Sequence, residues 1–316
     1  MLLLAAFLVA ATGFCVGSAQ ALPKAPPVRA VHVVLNSLAV SDLVRLADMA
    51  ERAGFNTMIL DLGNKVAFRN FPGQLSPNAW SPDELLSGIS YIRGKGMEVI
   101  PGVPLLSHQW QFLAGTHPEL MFNSSDYDPG KAAVYKLVFP YLDEVISAIK
   151  PRAIHIGHDE VESLPADAYL HDVNVLRDYL KQRNIETWMW GDMLLSRDEF
   201  PSMFPGPLSG NAPGYGKALR DKLPKDIVIC DWHYRDTQTD FPSLAAFKAG
   251  GFRVLGATWK NSQTTRNFSR YAALHGAGGM IVTTWFDPND PKVVHSWGEL
   301  SQIIQEAGKD FAYDFK

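Results

Sequence analysis

After residue 27 the chain alternates short oily runs with longer amphipathic segments. The runs are rich in Val, Ile, Leu and Met: AVHVVLN (30–36), NTMILDL (56–62), MEVIPGV (97–103), AIHIGHD (153–159), ETWMWGD (186–192), DIVICDW (226–232), FRVLGAT (252–258) and GMIVTTW (279–285). They are continuous rather than alternating, which predicts strands covered on both faces, as in a parallel sheet. Helical signals lie between them. SDLVRLADMAERAG offers Ser41 as a cap, Leu43, Leu46, Ala47 and Ala50 as an apolar face, and Gly54 as the stop. SPDELLSGISYIRGKG places Pro82 at the first helical position with acids in the first turn. YLHDVNVLRDYLKQRN and SLAAFKAGG follow the same pattern. Eight such units predict an α/β fold, a single-domain (β/α)8 TIM barrel over residues 30–316. An open doubly wound sheet is the alternative, but VLNSLAVSD lacks the Gly-rich turn expected of a dinucleotide fold. The longest irregular stretches are 63–81, 104–130 and 200–225, each following a strand.

A barrel builds its site at the C-terminal ends of its strands. That rule collects Asp61, His108, His158, Asp159, Glu160, Trp190, Asp192, Trp232, Tyr234, Asp236, Trp259, Trp285 and Asp287 at one rim. Carboxylates that can hydrogen-bond hydroxyls, together with aromatic faces that can stack on a ring, predict a carbohydrate ligand. Neighbours in an extended chain point to opposite sides. Asp159 and Glu160 are therefore expected to address two parts of one ligand, and their mutual repulsion favours one staying protonated as a general acid. His32 and His155 sit inside strands and read as core, Trp188 and Trp190 as residues on opposite faces, and Asp192 alternatively as a helix cap.

Composition adds limits. The formal charge of −4 and the lack of a basic cluster with interleaved aromatics exclude nucleic acid as a partner. Residues 1–21 are apolar and uncharged and end in Ala19-Gln20-Ala21, a small-x-small cleavage pattern. They predict a signal peptide, a linker over 22–29, and a secreted or periplasmic protein. Retained, the segment would be a membrane anchor. Cleavage would leave Cys230 alone, in the buried run DIVIC, with no disulfide partner.

HIGHDEV, with His155, Gly157, Asp159 and Glu160, resembles the His-x-Gly-Gly-Asp-Glu signature of glycoside hydrolase family 20, the β-N-acetylhexosaminidases. EVIPGVPLLSHQW is similar to that family's third-strand segment. It keeps Glu98 to Pro101 and His108, with Gly102 and Pro104 in place of two acids. Tyr234 and Asp236 in HYRD resemble the family's Tyr-x-Asp, and Trp285 and Asp287 in TTWFD its Trp-x-Glu. Trp190 stands where the family has a pocket-wall Trp. The Arg that many members carry after strand one is missing from VVLNSL, as in short members resembling hexosaminidase D. The resemblance implies a retaining, substrate-assisted mechanism on an N-acetylhexosamine glycan, GlcNAc or GalNAc, with no cofactor and no metal. In it Glu160 is acid and base, and Asp159 orients the acetamido group. His108 with Asp61 tunes Glu160. Tyr234, Asp236, Trp190, Trp285 and Asp287 bind the sugar. Trp232, Trp259 and His158 are further ligand candidates on their strand-end positions. Other readings are a glycosidase with two protein carboxylates, a metal-dependent hydrolase using His155, His158, Asp159 and Glu160, and a non-catalytic sugar-binding barrel.

Overall fold

The computed structural model describes residues 26–203 and 206–316. Eight parallel strands close into one barrel in sequence order, β8 pairing with β1. They are β1 Val28–Val34, β2 Thr57–Asp61, β3 Glu98–Leu105, β4 Ala153–Gly157, β5 Glu186–Trp190, β6 Val228–Trp232, β7 Arg253–Thr258 and β8 Gly279–Thr283. Around them run α1 Val40–Arg52, α2 Pro82–Gly94, α3 Ala132–Ile149, α4 Ala166–Lys181, α5 Tyr215–Lys222, α6 Pro242–Ala249, α7 Ser262–Leu274 and α8 Trp297–Asp314. The (β/α)8 expectation holds, and all eight oily runs are strands.

The boundaries differ in informative places. β1 starts at Val28, inside the expected linker, because Val28 already pairs with Gly279. That pairing is close: a Cβ on Gly279 would lie 2.0 Å from the Val28 carbonyl oxygen. Helix α1 starts at Val40, one residue before the expected cap Ser41; the Asp42 carboxylate instead accepts the Ala39 N–H at 2.8 Å. At α2 the reading of Pro82 holds, with Ser81 and Glu84 exchanging capping bonds. Stretch 200–225 is not irregular throughout, since Tyr215 and Leu219 bury one face of α5 within it.

The strands separate two cores. Inside the barrel lie Ala30, Ile59, Ile100, Trp188, Trp190, Cys230 and Ile281, among others. Val31, Val33, Met58 and Leu60 pack outward against the helices. Trp188 and Trp190 both face inward, contrary to expectation, because residues two apart on a strand share a face. Cys230 is free and buried. No helix among the described residues is long and apolar enough to cross a membrane. The expected signal peptide, residues 1–21, lies outside the described residues.

Candidate active site

The C-terminal strand ends open into a cavity of about 620 Å³. Its chemistry starts where β4 stops. Gly157, His158 and Glu160 have φ of 76°, 69° and 49°, so the strand breaks into left-handed turns. At Gly157 only hydrogen fits easily, since a Cβ would lie 3.2 Å from the Pro104 Cα. Strand alternation therefore ends before the acidic pair, and Asp159 and Glu160 do not point to opposite sides. Both converge on one imidazole: His108 Nε2 is 3.3 Å from Asp159 Oδ2 and 3.9 Å from Glu160 Oε2. The Asp159 side chain is 16% exposed and that of Glu160 59%. One acid is shielded and the other stands open to the cavity.

Asp192 supports this pair from β5. Its Oδ2 accepts the Glu160 N–H at 2.9 Å, and its Oδ1 accepts the Trp232 indole N–H at 3.3 Å. It sits in a short 3₁₀ turn and makes no helix-capping bond of its own side chain. It was visible as a strand-end acid, but its bonds were not.

Aromatic rings form the walls. Trp190, Trp232, Tyr234, Trp259 and Trp285 all line the cavity. Trp232 stacks on Tyr234 with centroids 4.8 Å apart, and the Trp285 indole donates to the Tyr234 oxygen at 3.1 Å. Asp236 also lines the cavity and is gripped from behind, its Oδ2 accepting from His233 Nδ1 at 2.5 Å. His233 Nε2 in turn faces Ser243 Oγ at 2.9 Å, and Ser243 donates to Asp231 at 2.8 Å.

Two expected site residues are elsewhere. His158 is fully buried, with Nδ1 3.0 Å from the Ile156 carbonyl oxygen and Nε2 2.8 Å from Asp172. Its left-handed φ turns the ring behind the strand, so it cannot touch a ligand in the cavity. The proposed four-residue metal set around His158 consequently does not converge, and among the described residues no group of three or more His, Cys, Asp or Glu is placed to hold a metal ion. Asp287 is not among the cavity walls; its Oδ1 accepts the Asn289 N–H at 2.8 Å and closes a turn. Asp61 does line the cavity, but its carboxylate bonds Gly63 N–H and lies 4.0 Å from His32. It reaches His108 through charge alone.

Two imidazoles read as core also face the cavity floor. His32 Nδ1 and His155 Nε2 are buried without hydrogen-bond partners, while His155 Nδ1 accepts the Gly157 N–H. Burial lowers their pKa values to about 4 and about 3, so both are neutral at pH 7. Their two-residue spacing from the inward-facing Ala30 and Ala153 was the available signal. The exposed Trp110, against His108 with centroids 4.9 Å apart, is another wall residue that its loop position hid.

The charges are ordered. Burial opposes charge on His108, but its bond to Asp159 and the nearby carboxylates outweigh that and hold its pKa at about 9. Burial likewise opposes charge on Asp159, and His108 overcomes it, so Asp159 lies below the usual range. Glu160 is raised by burial and then by the Asp159 charge. Burial, with the Asp159 charge adding, raises Asp61 and Asp192 to about 7. The site thus pairs an ionised acid with an adjacent acid biased toward the protonated form, the division that acid–base catalysis needs.

No protein-family profile matches the sequence, and no curated protein matches it. Solved structures do match. The Bacteroides fragilis β-N-acetylhexosaminidase aligns with a TM-score of 0.65 at 18% identity, over 89% of this chain and 65% of its own. The chain is folded like a β-N-acetylhexosaminidase. The Streptomyces plicatus N-acetyl-β-hexosaminidase in complex with thio-NAglucal gives a TM-score of 0.64 at 14% identity, over 90% of this chain and 64% of its own. The Vibrio harveyi exo-β-N-acetylglucosaminidase in complex with N-acetylglucosamine gives 0.65 at 13%, over 90% and 54%. The chain spans between about half and two thirds of these proteins' lengths.

Proposed function

We propose that the protein is a glycosidase that removes terminal β-linked N-acetylhexosamine with retention, using the substrate's own acetamido oxygen as nucleophile. The observation that carries this reading is the convergence of Asp159 and Glu160 on His108 inside an aromatic-walled cavity. Glu160, open and biased toward protonation, is placed to give its proton to the leaving oxygen. The acetamido oxygen then bonds to the anomeric carbon as the bond to the leaving oxygen breaks, giving an oxazolinium ion. Ionised Asp159 accepts the acetamido N–H and balances the positive charge. Tyr234, positioned by the Trp285 indole that donates to its oxygen, is placed to turn its hydrogen toward the acetamido oxygen. Glu160, now a carboxylate, takes a proton from water as that water opens the oxazolinium ring. The fold shared with hexosaminidases supports this scheme. Export to the periplasm or medium follows as part of the proposal from Ala19-Gln20-Ala21.

The test is hydrolysis of aryl β-GlcNAc and β-GalNAc, with the aryl β-glucoside as control. Glu160→Gln should lower kcat by about 10²–10⁴-fold, and a thiazoline mimic of the cyclised intermediate should inhibit. Equal cleavage of the glucoside would overturn the substrate-assisted scheme. Tight sugar binding without turnover by any variant would establish a binding protein instead.

A further inference from the structure

A second cavity, of about 530 Å³, opens beside the first. The two share Tyr234, Arg235 and Trp259 as a common wall. The remaining lining is Lys260, Asn261, Ser262 and Lys292. Three cations and no carboxylate therefore line this space. Among the described residues, none of the three cations has a carboxylate oxygen within 4.0 Å. The acids nearest in sequence bond other groups than the three cationic side chains: Asp236 bonds His233, Asp287 the Asn289 N–H and Asp290 the backbone N–H of Lys292. Lys260 packs its ammonium 4.4 Å above the Trp259 ring, which aims it along the shared wall. At the start of α7 the Asn261 side chain takes the Gln263 and Thr264 N–H groups, so attraction here rests on side-chain charge. The whole chain carries a formal −4, so this cluster is a local departure and not a sample of a basic surface. A space lined by three cations and no carboxylate attracts an anion.

We propose that this cavity is an anion subsite, and that the preferred substrates are N-acetylhexosamine glycans bearing a sulfate, phosphate or carboxylate group. The inference rests on the hexosaminidase reading for its sugar and on the second cavity for its charge. The anion can stand on the sugar in the main pocket or on its neighbour in the glycan. The shared wall connects the two spaces, so a substituent leaving the aromatic cage past Tyr234 enters the cationic one.

The experiment compares kcat/KM for aryl β-GlcNAc, for its 6-sulfate, and for a disaccharide of GlcNAc β-linked to glucuronic acid. Wild type is set against Lys260→Ala/Lys292→Ala, at low and high salt. The expected result is that at least one anionic substrate exceeds the neutral one by about tenfold or more, an advantage that shrinks with salt. In the double variant that advantage should vanish while the neutral aryl substrate is cleaved as before. Which anionic substrate gains tells where the charge sits. Equal rates for all three in wild type, or an advantage that survives the double variant, would overturn the subsite. Calorimetric titration with GlcNAc 6-sulfate and GlcNAc separates this from the parent reading. If no substrate turns over but the sulfated sugar binds more tightly through Lys260 and Lys292, hydrolysis is wrong and the subsite stands. If the two sugars bind alike and the glucuronic acid disaccharide gains nothing either, the subsite is wrong whatever the activity.

Discussion

Asp159 and Glu160 are adjacent, yet their surroundings push their protons in opposite directions, and the His108 imidazole divides them. The division can be measured directly. In wild type the His108 ring resonance should titrate near pH 9, because Asp159 holds its proton. In Asp159→Asn the titration should fall toward the ordinary histidine range, since the hydrogen-bonded charge is gone. An unchanged titration would mean that Asp159 does not control the site. Much of this site could be read from the chain: the acids, His108 and the five aromatic walls all sit where strand ends put them. His158 and Asp287 could not be placed that way. His158 turns away from the cavity toward α4 on a positive φ that its residue type gives no reason to expect. Asp287 follows Trp285, another non-glycine residue with positive φ, and ends in a turn. Asp192 was legible as an acid but not as the acceptor that holds Glu160, because hydrogen bonds between strands leave no trace in spacing.

At the scale of elements, the acidic pair is only as well placed as the end of β4. Asp172 on α4 anchors that end. It accepts from Tyr127 at 2.9 Å and from Tyr135 on α3 at 2.7 Å, and faces His158 at 2.8 Å. Tyr169 on α4 donates to the His158 carbonyl at 3.0 Å. Four segments thus meet at one carboxylate with no water route to replace it. Asp172→Ala should destabilise the fold by about 3–5 kcal/mol, because a buried polar network loses its hub. Urea unfolding measures it, and a loss below about 1 kcal/mol would show the network to be incidental. Gly157→Ala tests the same junction from the β3 side, where Pro104 leaves no slack. It should cost about 1–3 kcal/mol and lower kcat more than it raises KM. The strands themselves were legible because a parallel barrel covers both faces and so writes each as an unbroken oily run. Helix starts were less so: α1 is capped through Asp42, and Ser41 competed on residue type alone.

For the molecule as a whole, the barrel freezes histidines in opposite charge states, and this sets how stability follows pH. His108 and His233 have pKa values of about 9. Burial opposes the charge on His233, but Asp231 and Asp236 on either side outweigh it. His32 and His155 lie at about 4 and about 3. An unfolded chain returns all four to about 6.5. Below that value the neutral pair takes up protons on unfolding, so stability rises with pH between about 4 and 6.5. Asp61 and Asp192, raised to about 7, work the other way between about 4 and 7, and the two pairs partly offset. Above pH 7 these four no longer change. From there to about 9 the folded state holds protons on His108 and His233 that the unfolded state has lost. Their contribution, fully present below about 6.5, is lost as pH rises through 9. For His233, 1% exposed, the loss is on the order of 3 kcal/mol, and for the partly open His108 it is smaller. Tm should therefore fall between pH 7 and about pH 9.5. His233→Gln should start lower, with Asp231 and Asp236 left unpaired, but fall less steeply over the same range. Calorimetry at stepped pH checks both. A Tm that stays level above pH 7, or a variant as steep as wild type, would show that His233 is not held protonated between its two carboxylates.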